Sequence, residues 1–416
     1  MRWIIRYVCV GLSIAGSAAA QTTLDWQQVV AKFRAANPNL LAGQLNIQES
    51  RASEITAYLR PNPNFTIALD QLDPFTKNPY RPFTNTFPLV AFDYLHEREH
   101  KRELRLESAK HGTAIAESQQ QDLERTLLFN LRSAFVETLQ AKALLANAKE
   151  NLDYFGKELA INRARFTSGD IARLDFDRIA IQRAQYDSDF QTALVNLRTA
   201  KITLLTLLND RSPIDQFDVT GSFRFQEVPL SLDDLHTMAL AARPDLRAAL
   251  QTVEKAVTDH KLAVANGSTD PTFGMDFGRN PPIQVYMGVS VSMPLRIFDR
   301  NQGEKARTQI DIAHAERQKD AAQAQVFNDV DSAYFTLVSS VSLLRPYTAT
   351  DGYLETARRI RDTMSYSYQR GGVALVDYLD AQRDYRATEV AYINLVGAYL
   401  TAAGQLNEAV GKEAIP

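Results

Sequence analysis

At 416 residues the chain has room for two or three ordinary domains; 45% of its residues are hydrophobic, 23% are charged, and its formal charge is −3. Such a balance leaves no basic footprint, so nucleic acid is excluded as an expected partner. One cysteine, Cys9, is too few for a disulfide framework or a cysteine-built zinc site.

The chain opens with MRWIIRYVCVGLSIAGSAAA, in which Arg2 and Arg6 precede an apolar run from Tyr7 to Ala15 and a small-residue end at Ala18-Ala19-Ala20. That layout predicts a secretory signal peptide over residues 1–20. Its removal takes away Cys9 and shifts the formal charge from −3 to −5. No later apolar run is long enough for a transmembrane helix, so any passage through a membrane must use β-strands.

The remainder is written twice. AANPNLLAGQ (35–44) resembles AARPDLRAAL (241–250), SAF (133–135) resembles SAY (332–334), and RFTSGDIARLD (165–175) resembles SYQRGGVALVD (367–377). The offset, about 200 residues, is far too long for a solenoid unit and indicates a duplicated domain. The first repeat is expected over 21–208 and the second over 231–411, with a polar connector at 209–230 and a tail at 412–416. FDVTGSFRF in the connector reads as a short strand.

Each repeat begins with a short helical stretch followed by a strand pair. The first hairpin is expected at about 63–95, where Phe65, Ile67 and Leu69 alternate with Thr66, Ala68 and Asp70. The partner segment TNTFPLVAFDYL alternates poorly, and Pro88 favours an edge or strained position. The second hairpin, at about 271–293, alternates cleanly: Val285, Met287, Val289 and Val291 oppose Tyr286, Gly288, Ser290 and Ser292. Segments of this length, apolar on one face and small or polar on the other, are the mark of a transmembrane β-barrel. A pair of hairpins half-buried on a soluble core is the alternative.

Long helices follow, at about 97–165 and 172–208 in the first repeat and about 299–367 and 375–408 in the second. From Leu127 to Leu159, and again from Phe327 to Leu344, apolar residues recur at alternating spacings of four and three, the sign of helices packed along a seam. At ~1.5 Å per residue the first of these helices would run on the order of 100 Å. A soluble extracytoplasmic coiled-coil scaffold also fits the helices alone.

One motif points elsewhere. His96-Glu97-Arg98-Glu99-His100 fits H-E-x-x-H, which on a helix can hold zinc through two histidines with the glutamate as general base. A protease would need a third ligand and a cleft, and nothing nearby supplies them. From Phe92 to Ala116 the first repeat carries seven residues more than the second does from Phe298 to Ala315. HEREH is therefore read as part of a heptad insertion, on a solvated helix face with no catalytic role and no metal.

Four strands cannot close a membrane barrel, whose minimum is about eight, so the chain must assemble with copies of itself. The export signal, the tandem repeat, the hairpins between long helices and the turns FTSGDIARLD and YQRGGVALVDYLDA together resemble the TolC family of outer-membrane efflux factors, over essentially the whole chain after residue 20. SMPLRIFDRNQGEKAR (292–307) is similar to the heavy-metal, CzcC-like branch. The resemblance implies a mainly α fold with a small β part: a homotrimer with a twelve-stranded barrel in outer-membrane lipid, continued by an α-helical barrel across the periplasm. It implies a passive duct without cofactors, docked on a periplasmic adaptor and an inner-membrane pump of the RND class. The cargo would be metal cations or drugs, with type I protein secretion as the alternative.

The resemblance also places candidate residues. Gly169 and Gly371 would mark the periplasmic tips, with Thr167 and Gly372 beside them where the adaptor docks. Asp377 and Asp380, three apart and so on one helix face, would ring the entrance in a trimer and attract cations. As acids early in a helix they would also simply favour its dipole. In the first repeat Asp175 matches Asp377, but Arg178 stands where the second has Asp380; paired with Asp175 it would hold the periplasmic gate closed at the tip, so that the two repeats would not gate alike.

Overall fold

Two glycine-capped helical hairpins and one antiparallel sheet organise the chain in the computed structural model, which describes residues 22–75, 78–83, 86–280 and 283–415. The expected export signal lies outside the described residues. In the first repeat β1 (Thr22–Leu24), α1 (Trp26–Ala36) and α2 (Pro38–Tyr58) lead to β2 (Asn64–Asp70), β3 (Phe87–Leu95), α3 (Lys101–Ser168) and α4 (Arg173–Leu207). The connector holds β4 (Phe217–Val219). In the second repeat α5 (Leu232–Ala242) and α6 (Pro244–Ala265) lead to β5 (Thr272–Asn280), β6 (Ile283–Ser292), α7 (Gln302–Thr348), α8 (Tyr353–Gln369) and α9 (Leu375–Val410).

Local chemistry sets these boundaries. Asp25 and Gln28 form a reciprocal capping box at the start of α1. Asn37 and Arg243 each precede a proline and are extended, with ψ of 119° and 123°, so the opening helical stretch of each repeat breaks into two helices there.

Contacts divide the chain into two units. One holds the described residues up to Asn37, Asn130–Gln226 and Ser340–Thr401; the other holds Pro38–Phe129, Glu227–Ser339 and Ala402–Pro416. In the first unit β1 pairs in parallel with β4. The connector strand is therefore shorter than FDVTGSFRF, and its partner is a segment for which no strand was expected. The seam of α3 is buried at Leu131, Ala134, Ala141 and Phe155.

The second unit contains the sheet, in the order β2-β3-β5-β6 and antiparallel throughout. Register explains what alternation in β3 hid. Phe65, Phe92, Met275 and Val289 form one cross-strand row, and Ile67, Val90, Phe277 and Met287 form the next, all on one face. The other face carries Thr66, Ala91, Asp276 and Gly288. A Cβ on Gly288 would sit 2.5 Å from an Asp276 oxygen, so the glycine makes room for that carboxylate. Pro88 lies just beyond the ladder of β3 with β5, which begins at Leu89, and its missing N–H breaks no bond there.

The helices of this unit follow the same order as the strands. Thr113 and Gln120 of α3 bond to Glu54 and Leu40 of α2; Ser118 bonds to Gln251 of α6; and His260 of α6 bonds to Thr308 of α7. That leaves α2 at one edge. Along it Leu41, Leu45, Gln48, Ala52 and Ile55 repeat at alternating spacings of four and three, and every one is exposed.

Three expectations need correction. The helix expected over 299–367 is two helices, because Pro346 brings no N–H to the last turn of α7 and Gly352 caps α8, whose Thr356 N–H donates to the Gly352 carbonyl. The helix expected from 97 starts at Lys101. Finally, Phe92 and Phe298 are not equivalent: Phe92 lies inside β3, whereas Phe298 lies between β6 and α7, 89% exposed. The segment joining strand to helix is longer in the second repeat (293–301) than in the first (96–100), so no heptad is inserted into α3.

Candidate functional site

The turns between α3 and α4, and between α8 and α9, are built alike. Gly169 and Gly371 have φ of 85° and 75°, a left-handed conformation that glycine adopts without strain. The Gly169 N–H donates to Phe166 O and the Asp170 N–H to Arg165 O, at 3.1 and 2.8 Å. In the second repeat the Gly371 N–H donates to Tyr368 O and the Gly372 N–H to Ser367 O, at 3.0 and 2.8 Å. Both are Schellman caps, which satisfy the final carbonyls of one helix and reverse the chain into the next. Thr167, Gly169, Gly371 and Gly372 are all exposed at these ends.

Asp175 and Asp377 occupy the first turns of α4 and α9, where the helix dipole favours an acid. Asp377 is exposed. Asp380 is half-buried and lies 3.2 Å from Arg383, a partner on its own helix that the sequence reading passed over. The pairing expected between Asp175 and Arg178 is not formed: Arg178 is exposed to solvent, while Asp175 is half-buried and its charge is felt by the Tyr368 phenol.

Behind the turns lies an aromatic core that sequence reasoning missed. Phe155, Ile179, Tyr186, Tyr368, Leu375 and Tyr378 bring α3, α4, α8 and α9 together. Phe155 stacks on Tyr186 at 4.5 Å between centroids, and Tyr368 on Tyr378 at 4.9 Å. Arg386 covers Tyr186 and pairs with Asp189 at 2.7 Å, and Arg165 covers Tyr368. Inside this core sits Glu158, only 6% exposed. One carboxylate oxygen accepts a long 3.5 Å bond from Gln369 Nε2; the other has no hydrogen-bond partner, and neither has the Tyr378 hydroxyl. Burial raises the Glu158 pKa above the usual carboxylate range, outweighing the lowering effect of Tyr378, Gln369, Ser365 and Tyr154. Tyr378 is likewise raised by burial.

HEREH does not form a helix. The His96 N–H ends the strand by donating to Pro271 O, and Glu99 and His100 have φ of 55° and 53°, so the two histidines are not stacked one helical turn apart. Both oxygens of Glu97 are held by Arg105, which leaves no free base. Buried Lys101 pairs with Asp270 at 2.6 Å, and the Arg98 N–H donates to the same carboxylate at 2.9 Å. The motif is a polar clasp at the sheet-to-helix junction. Among the described residues no group of three or more His, Cys, Asp or Glu side chains could hold a metal ion, and no helix is long and apolar enough to cross a membrane.

Comparison with known proteins covers most of the chain. Residues 235–412 match the family described as outer membrane efflux protein. The cobalt-zinc-cadmium resistance protein CzcC of Cupriavidus metallidurans is 22% identical, with 90% of this chain and 87% of that protein aligned. Outer membrane protein TolC of Escherichia coli is also 22% identical, over 96% of this chain and 86% of that protein. Among solved structures, CusC superposes with a TM-score of 0.77 at 17% identity, covering 93% of this chain and 92% of that one. The open-state MtrE outer membrane channel of Neisseria gonorrhoeae gives 0.76 at 15% identity, covering 99% and 98%. At these identities the structural likeness speaks for the fold.

Proposed function

We propose, from the premise that this chain belongs to the outer membrane efflux protein family, that it is the outer-membrane exit duct of a tripartite efflux system. It works without catalysis, conducting what an inner-membrane pump and a periplasmic adaptor deliver. Three copies join their four-stranded sheets into a twelve-stranded barrel, and the repeats at 21–208 and 231–411, joined through 209–230, continue it as a helical barrel in the periplasm. The resistance named for CzcC makes divalent metal cations the leading cargo class; a pump of the RND class, implied by the resemblance to the TolC family, is the leading partner.

One observation carries this reading: the sheet is a fragment with two open edges, β2 and β6, and an unbroken apolar face. Val289 and Met287 are 76% and 64% exposed on that face, as suits a surface meant for lipid. An isolated sheet with such a face and free edges would aggregate, whereas closure with copies removes both edges. The exposed seam of α2 is the helical counterpart of the free strand edge. At the tips Asp377 and Asp380 then gather as rings of carboxylates that favour cations, and the surface around Thr167, Gly169, Gly371 and Gly372 receives the adaptor.

Arginine scanning of β6 tests the barrel. Val289→Arg should face lipid, cost about 2–4 kcal/mol and deplete heat-dissociable trimers in outer-membrane fractions. Ser290→Arg, on the opposite face, should leave trimers intact and lower single-channel conductance to cations. Equal loss of trimers in the two variants would defeat the proposal.

A further inference from the structure

We propose that Glu158 is a proton-operated latch: protonated, it holds the α8–α9 hairpin packed on α3 and α4, and loss of its proton loosens that packing. The inference rests on reading the tips as the gated end of the duct.

The geometry is that of a buried acid with no counter-ion. On its own helix the titratable and charged groups around it are Tyr154 and Arg165, the latter with its guanidinium over the Tyr368 ring. From α4 the core receives Tyr186 and the charge of Asp175. From α8 come Tyr368 and Arg361, which lies 5.3 Å from the Tyr154 ring, and from α9 come Tyr378 and Arg386, the latter over Tyr186. Each arginine is engaged with an aromatic face, and among the described residues none forms an ion pair with Glu158.

An ionised carboxylate in this place keeps one oxygen unbonded and away from water, a costly arrangement. A protonated one is neutral, and its O–H gives the pocket a donor. When the hairpins separate, the carboxyl regains water and its ordinary pKa of about 4.3. The packed tip therefore binds the proton more tightly than the loosened tip. Its extra stability is complete at low pH and is lost as pH rises through the raised pKa. A drop in periplasmic pH closes the gate; recovery releases it.

Lys157 on α3 and Asp384 on α9 are exposed, and Cys9, the only native cysteine, lies within the expected export signal. Spin labels on cysteines at 157 and 384, in trimers diluted with unlabelled chain, report the distance between the hairpins by pulsed electron resonance. From about pH 5 to 8 the separated population should grow, by at most about tenfold per pH unit, as one proton allows. Glu158→Gln, which keeps the shape without the charge, should hold the packed distance at every pH. A wild type without pH response, or a Glu158→Gln variant that keeps it, overturns the latch. The distance lies within one chain, so its result does not depend on conduction, while failure of the duct reading would appear in the trimer and conductance measurements.

Discussion

Asn37 and Arg243 stand at the same place in the two repeats, each buried, each extended before a proline. Each also satisfies a carbonyl at the end of its repeat's last long helix: Asn37 Nδ2 donates to Leu207 O at 3.1 Å, and Arg243 Nη1 to Ala409 O at 3.2 Å. The neutral amide manages this without a counter-charge. The guanidinium brings Asp245 at 2.6 Å and Asp329 at 2.8 Å with it, and their hydrogen bonds keep it charged although burial works against the charge. One backbone need has thus been met by a local bond in one repeat and by a charge network in the other. The network does more, and it fails harder.

The largest effect should come from Arg243→Met, which strands two carboxylates and should cost about 3–5 kcal/mol in denaturant unfolding of the purified protein. Arg243 outweighs burial to hold the Asp245 carboxyl below its ordinary value. The network's contribution is therefore present at neutral pH and lost as pH falls through that lowered value, so wild type and variant should converge in acid. Asn37→Ala should be milder, about 1–3 kcal/mol for one half-buried carbonyl left unbonded, with little change in acid. If the two substitutions cost the same, the contrast between amide and network is false.

The smallest effect on stability should be at the tips, where the repeats also differ. Asp377→Asn with Asp380→Asn removes two helix-start acids at a cost of about 0.3–1 kcal/mol. Its larger consequence should be functional: bilayer recordings should show weaker cation selectivity and weaker block by multivalent cations, with trimers unchanged. Unaltered selectivity would reduce both residues to helix-start acids, the role Asp175 already fills in α4.

Much of the architecture was legible because it depends on period. Alternation located three of the four strands, and the seam from Leu127 to Leu159 marked α3. β3 resisted because Leu89, Ala91 and Leu95 place apolar side chains on the face that also bears Asp93, and only the pairing register shows which residues share a face. The break at Pro346 and Gly352 was in plain view, but the heptads ending at Leu344 were carried past it. HEREH misled for a different reason: a five-letter spacing cannot report that Glu99 and His100 take left-handed φ. Arg243 and Glu158 escape such a reading because charged residues are rarely buried, and because Asp329 and Gln369, which reach them, are distant in sequence.

The unequal continuity of the long helices has a consequence for how each repeat can change its length. α3 runs for 68 residues without interruption, so one added residue would rotate everything beyond it by about 100° and carry the seam away from its partner. Only whole heptads keep that alignment. Between α7 and α8 a few non-helical residues, among them Asp351 with φ of 55°, already absorb a change of direction. A residue gained or lost there need not turn either helix. In the second repeat chain length can drift one residue at a time, while in the first it is quantised.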